Sequence, residues 1–181
     1  MRGLIVLANG YEDNEALTTR DVLIRSGLDI ITTSINDTKV VVSSHGLATL
    51  SDITINEVDN LDYDFIILPG GLKGVNNIKN SDDARNLIMK FYRGNKDIYA
   101  ICAAPSILIE LNILKDIPFT CFPSFEKGQE TYYTGEGVTS SGRFITAKSM
   151  YYSIDFALRI IERKLGAKVA EKVLKSLKGE E

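Results

Sequence analysis

One stretch of the sequence indicates how the chain is built: Ile98-Tyr99-Ala100-Ile101-Cys102-Ala103-Ala104-Pro105-Ser106-Ile107-Leu108. Its first four residues are apolar, as in a strand that is buried on both faces, and the residues after Cys102 favour a helix. A change from strand to helix within three residues places Cys102 at the joint. We expect its side chain to project from the carboxyl edge of a parallel sheet, where open α/β folds bind ligands.

The same kind of strand occurs three more times, and helix-length segments separate the strands. The other short apolar runs are Leu4 to Ala8, Leu28 to Thr32 and Phe65 to Leu68. Helical periodicity marks Asn14 to Ser26, with Asp13 and Asn14 as candidate caps, a segment from Ser81 to Gly94, a segment from Met150 to Leu165, and Ala167 to Leu177. Strands that alternate with helices at this spacing predict an α/β protein with a doubly wound sheet.

Two segments depart from this alternation. Val40 to Val42 and Leu47 to Leu50 flank the turn Ser44-His45-Gly46, which predicts a small inserted hairpin. Phe119 to Ser141 is rich in turn residues and aromatics, and Phe144 to Thr146 predicts one more short strand.

Composition excludes several classes of function. The 181 residues predict one domain, 1–181, and the apolar share of 44% and charged share of 25% are those of a globular protein. A net charge of -3 leaves no basic surplus for nucleic acid. No apolar run approaches the ~20 residues of a membrane span, and the apolar start is too short for a signal peptide. We therefore expect a cytoplasmic protein without nucleic-acid or membrane partners.

The sequence contains two cysteines, Cys102 and Cys121, and one histidine, His45. In a cytosolic chain such a pair is expected to be free thiols rather than a disulfide. Two cysteines and one histidine do not complete a tetrahedral zinc site, and no metal-ligand spacing is present. We expect neither a metal nor a cofactor.

The position of Cys102 predicts an activated thiol. The N–H groups and positive dipole end of the following helix favour the thiolate and lower the thiol pKa from its ordinary value of about 8.5. The alternative is a core cysteine, which is what a lone cysteine in an apolar run usually is.

Two loops are expected at the same edge of the sheet. Gly70 and Gly71 follow the strand at Phe65, and their N–H groups, with that of Ala103, are candidates to stabilise an oxyanion. The alternative is an ordinary tight turn. The loop after the first strand carries three acids, Glu12, Asp13 and Glu15, any of which can act as an acid beside the thiol or simply as a helix-start charge.

These pieces, in this order, resemble the ThiJ/PfpI superfamily and specifically its DJ-1-like branch. The resemblance covers essentially the whole chain and rests on four motifs: residues 8–15 (ANGYEDNE), 64–71 (DFIILPGG), 100–105 (AICAAP) and 153–158 (SIDFAL). It implies a flavodoxin-like three-layer sandwich with a mainly parallel central sheet, usually assembled as a homodimer. It also implies that Cys102 is the family's cysteine at the strand–helix joint and Glu15 its protonated glutamate.

The departures from the family pattern also carry information. Members proposed to be proteases have a histidine directly after the cysteine, where this chain has Ala103, so peptidase activity is disfavoured. Many relatives place a histidine or an aromatic residue before a proline in the facing loop, and this chain has Phe122 there. His45 is either an accessory group, since relatives present a basic residue from the hairpin across the dimer interface, or an ordinary exposed histidine. Cys121 is either a resolving thiol or a buried structural residue.

The resemblance implies cofactor-free conversion of a small α-oxoaldehyde, such as methylglyoxal, to a hydroxy acid, together with deglycase-type repair of early adducts. Cys102 would be the nucleophile and Glu15 the acid/base. The alternative is a protein without turnover, a redox-responsive stress protein or chaperone in which Cys102 is oxidised to a sulfinate.

Overall fold

A seven-stranded sheet forms the centre of the computed structural model, which describes residues 1–58 and 62–180. In chain order its strands are β1 (Arg2–Leu7), β2 (Asp29–Ser34), β5 (Ile53–Thr54), β6 (Phe65–Leu68), β7 (Asp97–Ile101), β8 (Val138–Ser141) and β9 (Phe144–Ala147). They lie in the order β5-β2-β1-β6-β7-β9-β8, and all neighbours are parallel except β8 and β9. Strands β3 (Val40–Val42) and β4 (Ala48–Leu50) form a separate antiparallel hairpin.

Helices cover both faces of this sheet. They are α1 (Asp13–Arg25), α2 (Leu72–Lys79), α3 (Asp82–Arg93), α4 (Pro105–Glu110), α5 (Ser153–Leu165) and α6 (Ala167–Lys178). Buried side chains of α1 and α5 pack with one face of the sheet, and those of α2, α3 and α4 pack with the other. Among the described helices, none has the length and apolarity that crossing a membrane requires.

Burial on both faces explains the uniformly apolar strands. Leu4 and Val6 of β1 belong to the core under α2–α4, whereas Ile5 and Leu7 belong to the core under α1 and α5. Successive side chains of a strand point to opposite faces, so a strand between two helical layers favours apolar residues at every position. The predicted α/β sandwich with a mainly parallel sheet and an inserted hairpin is confirmed.

Parallel pairing brings three loops together. Strand β6 pairs with β1 on one side and with β7 on the other, so Ile67 lies opposite both Ile5 and Tyr99. The carboxyl ends of the three strands therefore meet at one edge of the sheet. The loop to α1, Gly70-Gly71 and Cys102 leave the sheet at that edge.

Local details differ from the sequence-based prediction. Asp13 and Asn14 do not cap α1, because the helix begins at Asp13 and the preceding Glu12 makes no side-chain capping bond. The cap of α3 is as expected, since Ser81 accepts a hydrogen bond from the Ala84 N–H. Helix α2 and strand β8 had not been predicted from the sequence.

Candidate active site

Cys102 lies in the turn between β7 and α4, with a backbone conformation that is unusual for a residue with a side chain. Its φ is 64°, in the left-handed region. Its N–H donates to the Ala147 carbonyl at 2.8 Å, and its own carbonyl accepts from the Phe122 N–H at 2.8 Å. These bonds to neighbouring segments hold the turn, and the thiol remains partly exposed.

Glu15 lies in the first turn of α1 and is only 1% exposed. Its Oε2 accepts a hydrogen bond from the Gly70 N–H at 2.7 Å, and its carboxyl group is within hydrogen-bonding reach of the Cys102 thiol. Of the three acids in the loop and first turn, Glu15 is therefore the one that the fold brings to the cysteine.

The backbone donors predicted for an oxyanion have different partners. The N–H groups of Gly71 and Ala103 face the Cys102 sulfur. The N–H of Gly70 does not, because it donates to Glu15. The Gly70 N–H is thus engaged by Glu15, whereas those of Gly71 and Ala103 are directed at the sulfur; the oxyanion role of all three stays a prediction.

Burial of two ionisable groups side by side governs their charge. Burial raises the pKa of Glu15 to about 7, against the opposing hydrogen bonds from Cys102 and Gly70. Burial, and then the charge of Glu15, also raise the pKa of Cys102 well above its ordinary range, and the N–H groups of Ala103 and Gly71 only partly oppose this. The predicted lowering of the Cys102 pKa is therefore wrong, because burial is the largest influence on this pKa and raises it. Because each anion disfavours the other, the pair resists holding two negative charges at once.

A cavity of about 550 Å³ opens above the thiol. Cys102, Glu15, Gly71 and Ala103 form its floor. Glu12, one of the three acids noted in the sequence, also lines the cavity. The remaining lining residues apart from His45 and Phe122 were not singled out from the sequence, namely Leu72, Phe125, Ser149, Met150 and Tyr151. Only the aromatic character of the segment from Phe119 to Ser141 gave a signal for any of them.

His45 lies at the rim of this cavity and forms an ion pair with α1. Its Nδ1 is 2.9 Å from Oδ2 of Asp13 and 3.8 Å from Oε2 of Glu12. The hydrogen bond to Asp13 and then the charge of Glu12 raise the pKa of His45. One potential metal-ligating atom of each residue, Glu12, Asp13 and His45, lies within 4.8 Å of the other two. The spacing of these residues in the sequence did not reveal this grouping. The ion pairs of His45 with the two acids account for it.

The other two accessory candidates, Phe122 and Cys121, differ in their exposure to the cavity. Phe122 lines the cavity and is 45% exposed. Cys121 is fully buried in the core under α2–α4, while Cys102 packs against the opposite core. Burial raises the pKa of Cys121 to about 12. These features favour the structural role for Cys121 over that of a resolving thiol.

The chain as a whole has counterparts among known proteins. Residues 1–163 match the model of the DJ-1/PfpI family. The chain belongs to this family. The resemblance seen in the sequence motifs is thereby confirmed.

Individual DJ-1 proteins align over most of the chain. Toxoplasma gondii DJ-1, solved in an oxidized form, superimposes with a TM-score of 0.93 and 28% identity over 97% of both chains. Protein DJ-1 homolog B of Arabidopsis thaliana is 32% identical over 165 residues, which are 90% of this chain but 38% of that relative. Glutathione-independent glyoxalase DJR-1.2 of Caenorhabditis elegans is 29% identical over 92% of this chain and 89% of its own.

The raised pKa of Glu15 leads to a prediction about stability and pH. The carboxyl group keeps its proton in the folded state up to about pH 7 but loses it near pH 4.5 when unfolded. The folded state thus binds more protons between these values, and stability falls as the pH rises through them. The Glu15→Gln variant, which stays neutral, should match the wild type near pH 4.5 and exceed it by about 3 kcal/mol above pH 7.

Denaturant unfolding of both proteins across pH 4.5–8 measures this difference. The exposed Glu136 offers a matched control, since Glu136→Gln makes the same chemical change outside the site. A difference between wild type and Glu15→Gln that does not vary with pH would contradict the proposed ionisation of Glu15.

Proposed function

We propose that the protein is a cofactor-independent glyoxalase that hydrates α-oxoaldehydes to 2-hydroxy acids, with methylglyoxal giving lactate as the simplest case. Deglycase-type repair of early carbonyl adducts would use the same site. The observation that carries the proposal is the grouping of a partly exposed thiol, a buried carboxyl group and two backbone N–H donors on the floor of one cavity.

Each step of the reaction uses these groups. The Cys102 thiolate adds to the aldehyde carbon and forms a hemithioacetal, whose oxyanion is stabilised by the N–H groups of Gly71 and Ala103. Glu15 gives its proton to that oxyanion and, now a carboxylate, removes the proton from the former aldehyde carbon and returns it to the adjacent carbon. The hydroxyl proton passes to the former ketone oxygen, which yields a thioester of the hydroxy acid. Water hydrolyses the thioester and frees Cys102. The net change is the addition of one water, with the aldehyde carbon oxidised and the ketone carbon reduced.

This chemistry depends on where the pair carries its negative charge. The reaction requires the charge of the pair to lie on Cys102 beside a neutral Glu15; burial opposes a thiolate there, and the N–H groups of Ala103 and Gly71 favour it. The similarity to a relative named as a glutathione-independent glyoxalase supports the same activity. Ala103, in the position after the cysteine, offers no imidazole for a peptidase mechanism.

A redox-responsive role is the second candidate, without turnover and with a stress-protective or chaperone function. It is favoured by the contrast between the two thiols, since Cys102 is partly exposed and Cys121 is fully buried. A protonated Glu15 can donate a hydrogen bond to a sulfinate oxygen on Cys102. The related Toxoplasma gondii DJ-1 has been solved in an oxidized form.

We also propose that the protein is a homodimer assembled through the β3–β4 hairpin. Val40 pairs with Leu50, so the two side chains share a hairpin face, and both are exposed, at 50% and 73%. Leu17 of α1 borders the same surface depression as Leu50. Exposed apolar side chains grouped in this way are candidates for burial in an interface, and a second copy of the chain would cover them.

The glyoxalase proposal predicts which residues turnover requires. Incubation with methylglyoxal in the absence of glutathione should give lactate with the wild-type protein. Cys102→Ala should reduce the rate to background, and Glu15→Gln should lower kcat by about 10²–10⁴-fold because proton transfer is lost. Lactate is quantified by chromatography over time.

Cys121→Ala is the matched control, because it removes the other thiol of the chain. It should retain wild-type turnover. Lactate formation by Cys102→Ala at the wild-type rate would exclude the proposed nucleophile.

The redox role predicts oxidation at one site. Mild hydrogen peroxide should add two oxygens to Cys102 and none to Cys121, which is shielded from solvent. Peptide mass spectrometry locates the added mass. Oxidation of both thiols to the same extent, or of neither, would count against this role.

The dimer proposal predicts the effect of a charge on the hairpin face. The wild type should have twice the chain mass of 20.0 kDa in light scattering, and Leu50→Arg should have the single mass, because a charge buried without a partner is costly. Ile154→Arg introduces the same charge at an exposed apolar position on α5 and should remain dimeric. A dimeric Leu50→Arg would place the interface elsewhere.

A further inference from the structure

The walls of the cavity above Cys102 are more apolar than a three-carbon substrate requires. Leu72, Met150 and Tyr151 are 59%, 49% and 80% exposed, and they surround the opening together with Phe122 and Phe125. The two phenylalanine rings meet edge to face, with centroids 6.3 Å apart. Exposed apolar side chains gathered at the mouth of a cavity indicate a surface that is completed by a ligand.

The size of the cavity supports the same conclusion. Its volume of about 550 Å³ lies within the range of about 300–1,000 Å³ that is usual for sites holding drug-sized ligands. Methylglyoxal has a single methyl group beyond its two carbonyl carbons. Bound at the sulfur, this substrate would leave the aromatic and aliphatic walls in contact with water.

The charges around the cavity disfavour an anion. Among the described residues, no lysine or arginine lines this cavity. Glu12 and Glu15 line it, and the one cationic candidate, His45, is already paired with Asp13 and Glu12. A substrate with a carboxylate would meet these acids without a free cation as a partner.

We infer that the preferred substrate is an uncharged α-oxoaldehyde with an aromatic or large apolar substituent, held between Phe122 and Phe125 on one side and Leu72 and Met150 on the other. This inference rests on the proposed glyoxalase function and specifies its substrate class. The aldehyde carbon lies at Cys102 as before, and the substituent replaces water along the cavity wall. The reaction remains the addition of one water, so that phenylglyoxal gives mandelate.

The test compares phenylglyoxal with methylglyoxal for the full-length protein without glutathione, by measuring mandelate and lactate. We expect kcat/KM to be at least about tenfold higher for phenylglyoxal, in line with the discrimination available to apolar pockets. 4-Carboxyphenylglyoxal, which adds a negative charge to the ring, should be turned over at least about tenfold less efficiently than phenylglyoxal.

Variants of Phe122 attribute the preference to the cavity wall. Phe122→Ala should lower kcat/KM for phenylglyoxal by about tenfold more than that for methylglyoxal, whereas Phe122→Leu should retain most of the preference. Ile154→Ala is the matched control, since Ile154 is 44% exposed but does not line the cavity. It should change neither value.

Each remaining outcome has a distinct meaning. If both aldehydes are turned over with equal efficiency, or if Phe122→Ala lowers both values to the same extent, the inferred substrate class is wrong while the glyoxalase function stands. If neither aldehyde is turned over above the Cys102→Ala background, the proposed function fails and the substrate inference fails with it.

Discussion

The left-handed backbone at Cys102 is the constraint on which the site depends. A non-glycine residue in this region costs about 1–3 kcal/mol, so neighbouring structure has to enforce it. Here β7 is held between β6 and β9, and the Cys102 peptide groups are bound to Ala147 and Phe122. The turn projects the thiol away from the sheet towards the cavity. A relaxed extended backbone would continue the strand and direct the side chain into one of the two cores.

Close packing at Gly70 brings the acid to this thiol. A Cβ atom at position 70 would lie 2.5 Å from Oε2 of Glu15 and 2.8 Å from the Cβ of Cys102, so only glycine fits between them. Gly71 is restricted as well, because its φ is 87° and a Cβ there would lie 2.4 Å from the Gly10 carbonyl oxygen. The two glycines are therefore needed for the close approach of the loops at least as much as for the proposed oxyanion binding. Their N–H groups are divided between the carboxylate and the sulfur.

Local signals in the sequence predicted most of the sheet and the position of Cys102, whereas only the family resemblance singled out Glu15 from the three acids. Apolar runs identify the strands, and a cysteine at a strand–helix joint identifies the site. The direction of the Cys102 pKa was not predictable, since it depends on the burial of the thiol and its distance from Glu15, which only the assembled fold fixes. Helix α4, with six residues, contributes too little to offset that burial. The cavity walls also escaped prediction, because Leu72 and Met150 are far apart in the chain and meet only through the sheet topology.

The electrostatic cost of the resting site has a consequence for the proposed catalysis. An anion held in a buried position beside Glu15 is unfavourable, as the raised pKa values of both groups indicate. When the thiolate adds to an aldehyde, the charge moves from the sulfur to the new oxyanion, which the N–H groups of Gly71 and Ala103 can reach. The same two donors face the sulfur in the resting site, and because sulfur is the weaker hydrogen-bond acceptor they stabilise the oxyanion better. Part of the electrostatic cost of burying the anion is therefore relieved as the reaction proceeds. Hydrogen bonds to the developing oxyanion lower the barrier because they are stronger in the transition state than in the resting site.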